Sequence, residues 1–209
     1  MLVPVFFIVA CLSSCNIEPS QEVKSKYFLT KDEQFLLQEG DIVLRHGYGM
    51  VSNLISATLK EDIELSHCAI IIKDSTDKFK VVHSVSQSVS DFDGVQIQDL
   101  NLFINDSKPN SVVVVRYKNL NPEQQLLIRK KSLEFLKQKI PFDHSFDISD
   151  STEFYCTELI WRIFLDLFND DILQSDKFKH NLSAFRFAFF FDPKRFEVII
   201  DHHKKLVHS

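Results

Sequence analysis

Two aliphatic runs joined by a short polar link set the tightest limit on how this 209-residue chain can fold. Cys68-Ala69-Ile70-Ile71-Ile72 is followed by a polar turn from Lys73 to Lys78, and then by a second run, Phe79 to Ser84. β-Branched and aromatic side chains suit a pleated, half-buried surface. Two such runs with a short polar link predict an antiparallel hairpin. Period-two alternation then sorts the first run into two faces. His67, Ala69 and Ile71 fall on one, and Cys68, Ile70 and Ile72 on the other. Ile42-Val43-Leu44, Val112 to Tyr117 and a closing run at Glu197–Ile200 supply further strands.

Helical spacing marks three longer segments. Met50 to Leu59 repeats apolar residues at the helical period. Asn121-Pro122-Glu123 sets a cap, a proline at the first helical position and an early acid in order; Pro141 ends that helix after about Lys139. A third helix holds Cys156 and buries Leu159, Ile160, Ile163, Phe164 and Leu167. Thr30-Lys31-Asp32-Glu33 reads as the capped start of a short helix. Gly47-Tyr48-Gly49 is a loop. No repeat or long linker interrupts the order, which predicts one α+β domain with a mostly antiparallel sheet packed against helices.

The formal charge of -5 and the scattered Lys and Arg give no basic stripe, so nucleic acid is not an expected partner. The chain opens with an apolar run from Leu2 to Leu12, too short to span a bilayer but suited to a signal-peptide core. Leu12-Ser13-Ser14-Cys15 resembles a bacterial lipobox. That resemblance implies removal of residues 1–14, acylation of Cys15, a tether over 15–29 and a domain over 30–209. The expected location is the cell envelope, lipid-anchored outside the cytoplasm, at the periplasmic face of a bacterial membrane. The run departs from the usual signal in having no Lys or Arg before it.

Cys156 stands where its helix begins. Free backbone N–H groups and the positive end of the helix dipole favour a thiolate there. The same N–H groups could hold an oxyanion. A nucleophile also needs a base and an orienting group. His67 and His83 are the candidates, because a hairpin would make them neighbours on one face. Tyr155, His46 and Tyr48 could line the site, and Glu158 reads as a structural hydrogen-bond partner. His202, His203 and His208 read as an exposed basic tail. Two other arrangements of the same residues are open: a metal site of Cys156, His67 and His83, and a Cys68–Cys156 disulfide.

Four stretches together resemble a known family: Gly40-Asp41-Ile42-Val43, Ser66-His67 leading an aliphatic strand, Pro141-Phe142-Asp143, and Tyr155-Cys156-Thr157-Glu158-Leu159-Ile160-Trp161. Their order is similar to that of the circularly permuted, NlpC-type papain-like proteins of the YiiX-like branch, over roughly residues 38–200. The resemblance implies a permuted papain-like fold with Cys156 as nucleophile, His67 as general base and His83 as orienting residue. Many relatives carry glutamate at the position of His83, while lecithin:retinol acyltransferase-like relatives use a second histidine. The implied activity is that of a cysteine hydrolase or acyltransferase on amide or ester bonds, without a cofactor or metal. Cell-wall peptides and lipid-linked amides are the substrate classes, and the 20 phenylalanines lean toward an apolar ligand. A non-catalytic binding module on the same fold is the alternative.

Overall fold

The structure is a computed structural model that describes residues 26–174 and 186–203. The expected signal, lipobox and most of the tether lie outside those residues, as does His208. Among the described residues no helix is long and apolar enough to cross a membrane.

The expected hairpin forms. Strand β2 (His67–Lys73) pairs antiparallel with β3 (Phe79–Val85), with Ile70 opposite Val82 and Ile71 opposite Val81. Asp74 closes the turn by accepting from the backbone N–H groups of Thr76 and Lys78. Strand β1 (Ile42–Arg45) sits on the other side of β2 and also pairs with β5 (Val113–Tyr117). Strand β6 (Phe196–Asp201) closes one edge, and β4 (Gly94–Asp99) closes the other. The six strands run in the order β4-β3-β2-β1-β5-β6, every pair antiparallel.

Helix boundaries follow local chemistry. Helix α1 (Lys31–Leu36) begins with a capping box between Thr30 and Glu33. Helix α2 (Met50–Leu59) covers the span that its periodicity predicts. Helix α4 (Pro122–Gln138) starts with Asn121 and Gln124 capping each other. Helix α5 (Cys156–Phe168) begins at the cysteine itself. Two elements carry too little periodicity to stand out in sequence: β4, and the six-residue α3 (Leu100–Asn105) capped by the Asp99 side chain.

Alternation divides the core in two. Ile42, Leu44, Cys68, Ile70, Ile72, Val82, Val113 and Val115 meet α4 and α5. Val43, Ala69, Ile71, Val81, Val112 and Val114 face Leu100, Phe103 and Ile104 of α3. Both faces are apolar, so both need a covering layer. His202 departs from the expected exposed tail. His202 is buried, bonded to the Tyr27 hydroxyl through Nδ1 and to Glu33 Oε1 through Nε2 at 2.9 Å. This clamp ties the end of β6 to the segment leading into α1.

Candidate active site

Cys156 is the first residue of α5, and Tyr155 at the N-cap makes no side-chain capping bond. The acidic, hydroxyl-rich stretch before it caps its own turns. Asp150 Oδ1 accepts from the Thr152 N–H at 2.8 Å, and Asp143 accepts from the N–H groups of Ser145, Phe146 and Asp147. The N-cap side chain therefore does not compete with a developing oxyanion at the head of α5. Two bonds hold the segment before Cys156 in place. Phe154 N–H donates to the Pro141 carbonyl at 3.0 Å. The Ser84 hydroxyl, from β3, donates to the Phe154 carbonyl at 2.5 Å. Tyr155 is fully buried against Phe146, and burial pushes its hydroxyl pKa up, so it packs and does not donate a proton at neutral pH.

His67 and His83 meet as the hairpin predicts. His67 Nε2 and His83 Nδ1 are 2.8 Å apart, and both rings lie against Phe103 of α3. Arg45, the cross-strand partner of His67, spreads its guanidinium over the same phenylalanine at 4.1 Å and donates to the Phe103 carbonyl. Burial lowers both imidazole pKa values, with the Arg45 charge adding to it and His83 adding to the effect on His67; His83 drops to about 3. Both rings are neutral at physiological pH, so one donates its proton to the other. Arg45 and Phe103 stand out only in the folded chain, since neither sits in a recognisable motif.

The expected encounter between Cys156 and His67 does not occur in this arrangement. His67, His83 and Arg45 stand on the α3 face with Ala69 and Ile71. Cys156 stands on the α5 face with Cys68, Ile70 and Ile72, and its thiol lies near that of Cys68. The physical reason is alternation: adjacent residues of a strand point to opposite faces, and α5 docks on the face of Cys68 and not on that of His67. Cys68, expected to face away from the site, is the residue that Cys156 meets. The alternative three-residue metal set is broken for the same reason. Both thiols are free, so no Cys68–Cys156 disulfide is present.

His46 and Tyr48 sit where β1 turns into α2. His46 is buried, with Nε2 at 3.2 Å from Asn53 Oδ1 and Nδ1 at 3.6 Å from Glu64 Oε2, so it is a structural residue and not a solvated one. It borders a surface cavity of about 340 Å³ with Asn53, Lys60, Glu61, Glu64 and Lys108.

Glu158 differs from expectation. It is fully buried, neither carboxyl oxygen has a hydrogen-bond partner of good geometry, and its nearest charge is Arg162 Nε at 3.8 Å. Arg162 commits its NH2 to the carbonyls of Ile148 and Asp150. Burial pushes the Glu158 pKa up to about 9, against the pull of Arg162. An acid with a folded pKa above its unfolded value of about 4.3 binds its proton more tightly in the folded chain. Its contribution is fully present below that unfolded value and is lost as pH rises through about 9. Glu158→Gln should flatten this part of the stability profile. Urea midpoints measured from pH 5 to pH 9 should fall more steeply for the native chain than for the variant; parallel profiles would show that Glu158 is not held protonated.

Comparison with known proteins fits this geometry to a family. A family model described as "Permuted papain-like amidase enzyme, YaeF/YiiX, C92 family" matches residues 36–200. The crystal structure of metalloprotein yiiX from Escherichia coli O157:H7 is similar in fold. It has a TM-score of 0.61 at 18% identity, covering 78% of this chain and 97% of that one. No curated protein matches the chain. That protein is named a metalloprotein; among the described residues of this chain, no group of three or more His, Cys, Asp or Glu is arranged to hold a metal.

Proposed function

Because the chain belongs to the permuted papain-like amidase family, we propose that it is a cysteine hydrolase of amide or ester bonds with Cys156 as the nucleophile. The observation that carries this reading is the position of the thiol as the first residue of α5, where the N-cap side chain makes no capping bond. The thiolate attacks the substrate carbonyl carbon, and backbone N–H groups of the first turn hold the oxyanion. The carbon–nitrogen or carbon–oxygen bond then breaks, leaving an acyl thioester that water or another acceptor resolves. In this reading His67 takes the thiol proton and returns it to the leaving group, with His83 orienting it. That role requires the terminal rung of β2, Arg45 opposite His67, to open so that the imidazole turns from His83 toward α5. The reading extends to an envelope protein, held at a bacterial membrane through acylated Cys15, that acts on cell-wall peptides or lipid-linked amides.

A second reading, a binding module without catalysis, is favoured by one observation. Cys156 is only 3% exposed, and His67 is bonded to His83 instead of to the thiol. One experiment separates the two. The native chain, Cys156→Ala and His67→Ala are treated with a thiol-directed electrophilic probe under native conditions, and assayed on a chromogenic acyl ester and on cell-wall peptides. Cys156 should be labelled, turnover should be lost in Cys156→Ala, and both labelling rate and turnover should drop in His67→Ala with a changed pH profile. Turnover equal in the native chain and Cys156→Ala would overturn the hydrolase reading. An unlabelled Cys156 with no turnover would leave the binding module.

A further inference from the structure

The core contains a second thiol beside the first. Cys68, in β2, and Cys156, at the head of α5, are both free and both enclosed in the same apolar cluster. Their thiols lie near each other, where the head of α5 packs on β2. The geometry around them is anchored from both sides. Ser84 shares their face of the sheet, next to Val82, and bonds the Phe154 carbonyl two residues before Cys156. Helix α5 also packs more closely on β2 than on any other strand.

We propose that Cys68 is a resolving thiol for Cys156, and that a hydroperoxide converts the pair into a reversible disulfide that pins α5 to β2 and silences the nucleophile. The proposal rests on Cys156 being the reactive thiol. In the first step the Cys156 sulfur attacks the terminal peroxide oxygen. The O–O bond breaks, Cys156 becomes a sulfenic acid, and an alcohol or water leaves. In the second step the Cys68 sulfur attacks the sulfenic sulfur, the S–O bond breaks, and water leaves with the proton of Cys68. Two thiols and one hydroperoxide thus give one disulfide, one alcohol and one water, the two electrons passing to the peroxide.

The two cysteines differ in the way these roles require. Cys156, the proposed nucleophile at the head of α5, reacts first. Burial, with Cys156 beside it, pushes the Cys68 thiol pKa well up, so Cys68 stays protonated and inert until a sulfenic acid forms next to it. Resolution should therefore speed up as pH rises. The disulfide also keeps Cys156 from advancing to the irreversible sulfinic acid.

The test uses the full chain, reduced, desalted and exposed to hydrogen peroxide under native conditions. It is then alkylated, digested without reductant and mapped by mass spectrometry, so that Cys11 and Cys15 are read separately. The expected result is a peptide linking Cys68 to Cys156 that disappears on treatment with dithiothreitol. Probe labelling of Cys156 should be lost with peroxide and restored by the reductant. In Cys68→Ala the same exposure should carry Cys156 to sulfinic acid, with labelling not restored. Should that variant fail to fold, the peptide map of the native chain decides alone. A native Cys156 that reacts with probe and peroxide while Cys68 remains a free thiol would overturn the resolving role and leave the nucleophile standing. A Cys156 that neither reagent touches would overturn both.

Discussion

Gly94→Ala should destabilise the protein by about 3 kcal/mol or more, a greater loss than a methyl group would cause at any other glycine of the chain. Gly94 opens β4 with φ at +84°, a backbone region that costs a side chain strain. Lack of space weighs more heavily than that strain. A Cβ at this position would stand 2.1 Å from the Ile140 carbonyl oxygen and 2.7 Å from Pro141 Cα. Both obstacles are backbone, so no rotamer change relieves the contact. The two segments are also stapled together at this point. Val95 N–H donates to the Ile140 carbonyl at 2.8 Å, and Phe142 N–H donates to Asp93 Oδ2 at 3.1 Å. Pushing them apart breaks those bonds. The disturbance does not stop there, because the Pro141 carbonyl holds Phe154, two residues before Cys156. The variant should lose stability to urea and, at temperatures where it is still folded, lose probe labelling of Cys156. A Gly94→Ala protein within about 0.5 kcal/mol of the native one would show that the 140–142 segment gives way freely.

Arg116→Met should be the most damaging side-chain change outside the apolar core. Asp41, at the start of β1, is fully buried. Its two oxygens accept from Arg116 Nε at 2.7 Å and NH2 at 2.9 Å, and one also accepts from the Gln38 N–H at 2.7 Å. Arg116 NH2 reaches on to the Leu36 carbonyl at the end of α1. The pair thus ties α1, β1 and β5 at one point. Burial pushes the Asp41 pKa up while Arg116 pulls it down. Removing the guanidinium leaves a buried carboxylate with one backbone donor, a change that costs about 3–5 kcal/mol. On a chain of this size the melting temperature should fall by on the order of 10 °C. The orphaned carboxyl has its pKa raised further, so its penalty is smallest in acid, where it is neutral, and grows as pH rises. The double variant Asp41→Asn with Arg116→Met should recover part of the loss. A single variant whose deficit is the same at pH 4 and pH 8 would show that the carboxylate is not the source.

The resemblance carried by Gly40-Asp41-Ile42-Val43 has a physical basis visible in these contacts. Gly40 takes φ +86° beside the Ile128 side chain, so the chain can turn sharply into β1. Asp41 then anchors that turn through Arg116. A motif that reads as a family signature in sequence is, in the fold, the joint between α1 and the sheet.

Several features were legible without coordinates because they depend on neighbours in the chain. Caps and prolines delimit α1 and α4. Period-two alternation sorts His67 from Cys68 and joins His67 to His83. Helical periodicity places Cys156 at a helix head. The weak signals of β4 and α3 hid the layer that buries the histidines, since six residues each give too few repeats to register. What tertiary structure alone decided is which layer covers which face of the sheet. Both faces are apolar along most of their length, so local pattern gives no clear preference, and the choice falls to the summed packing of distant segments. With α5 on the face of Cys68 and α3 on the face of His67, the thiol meets a second thiol and the imidazoles meet each other.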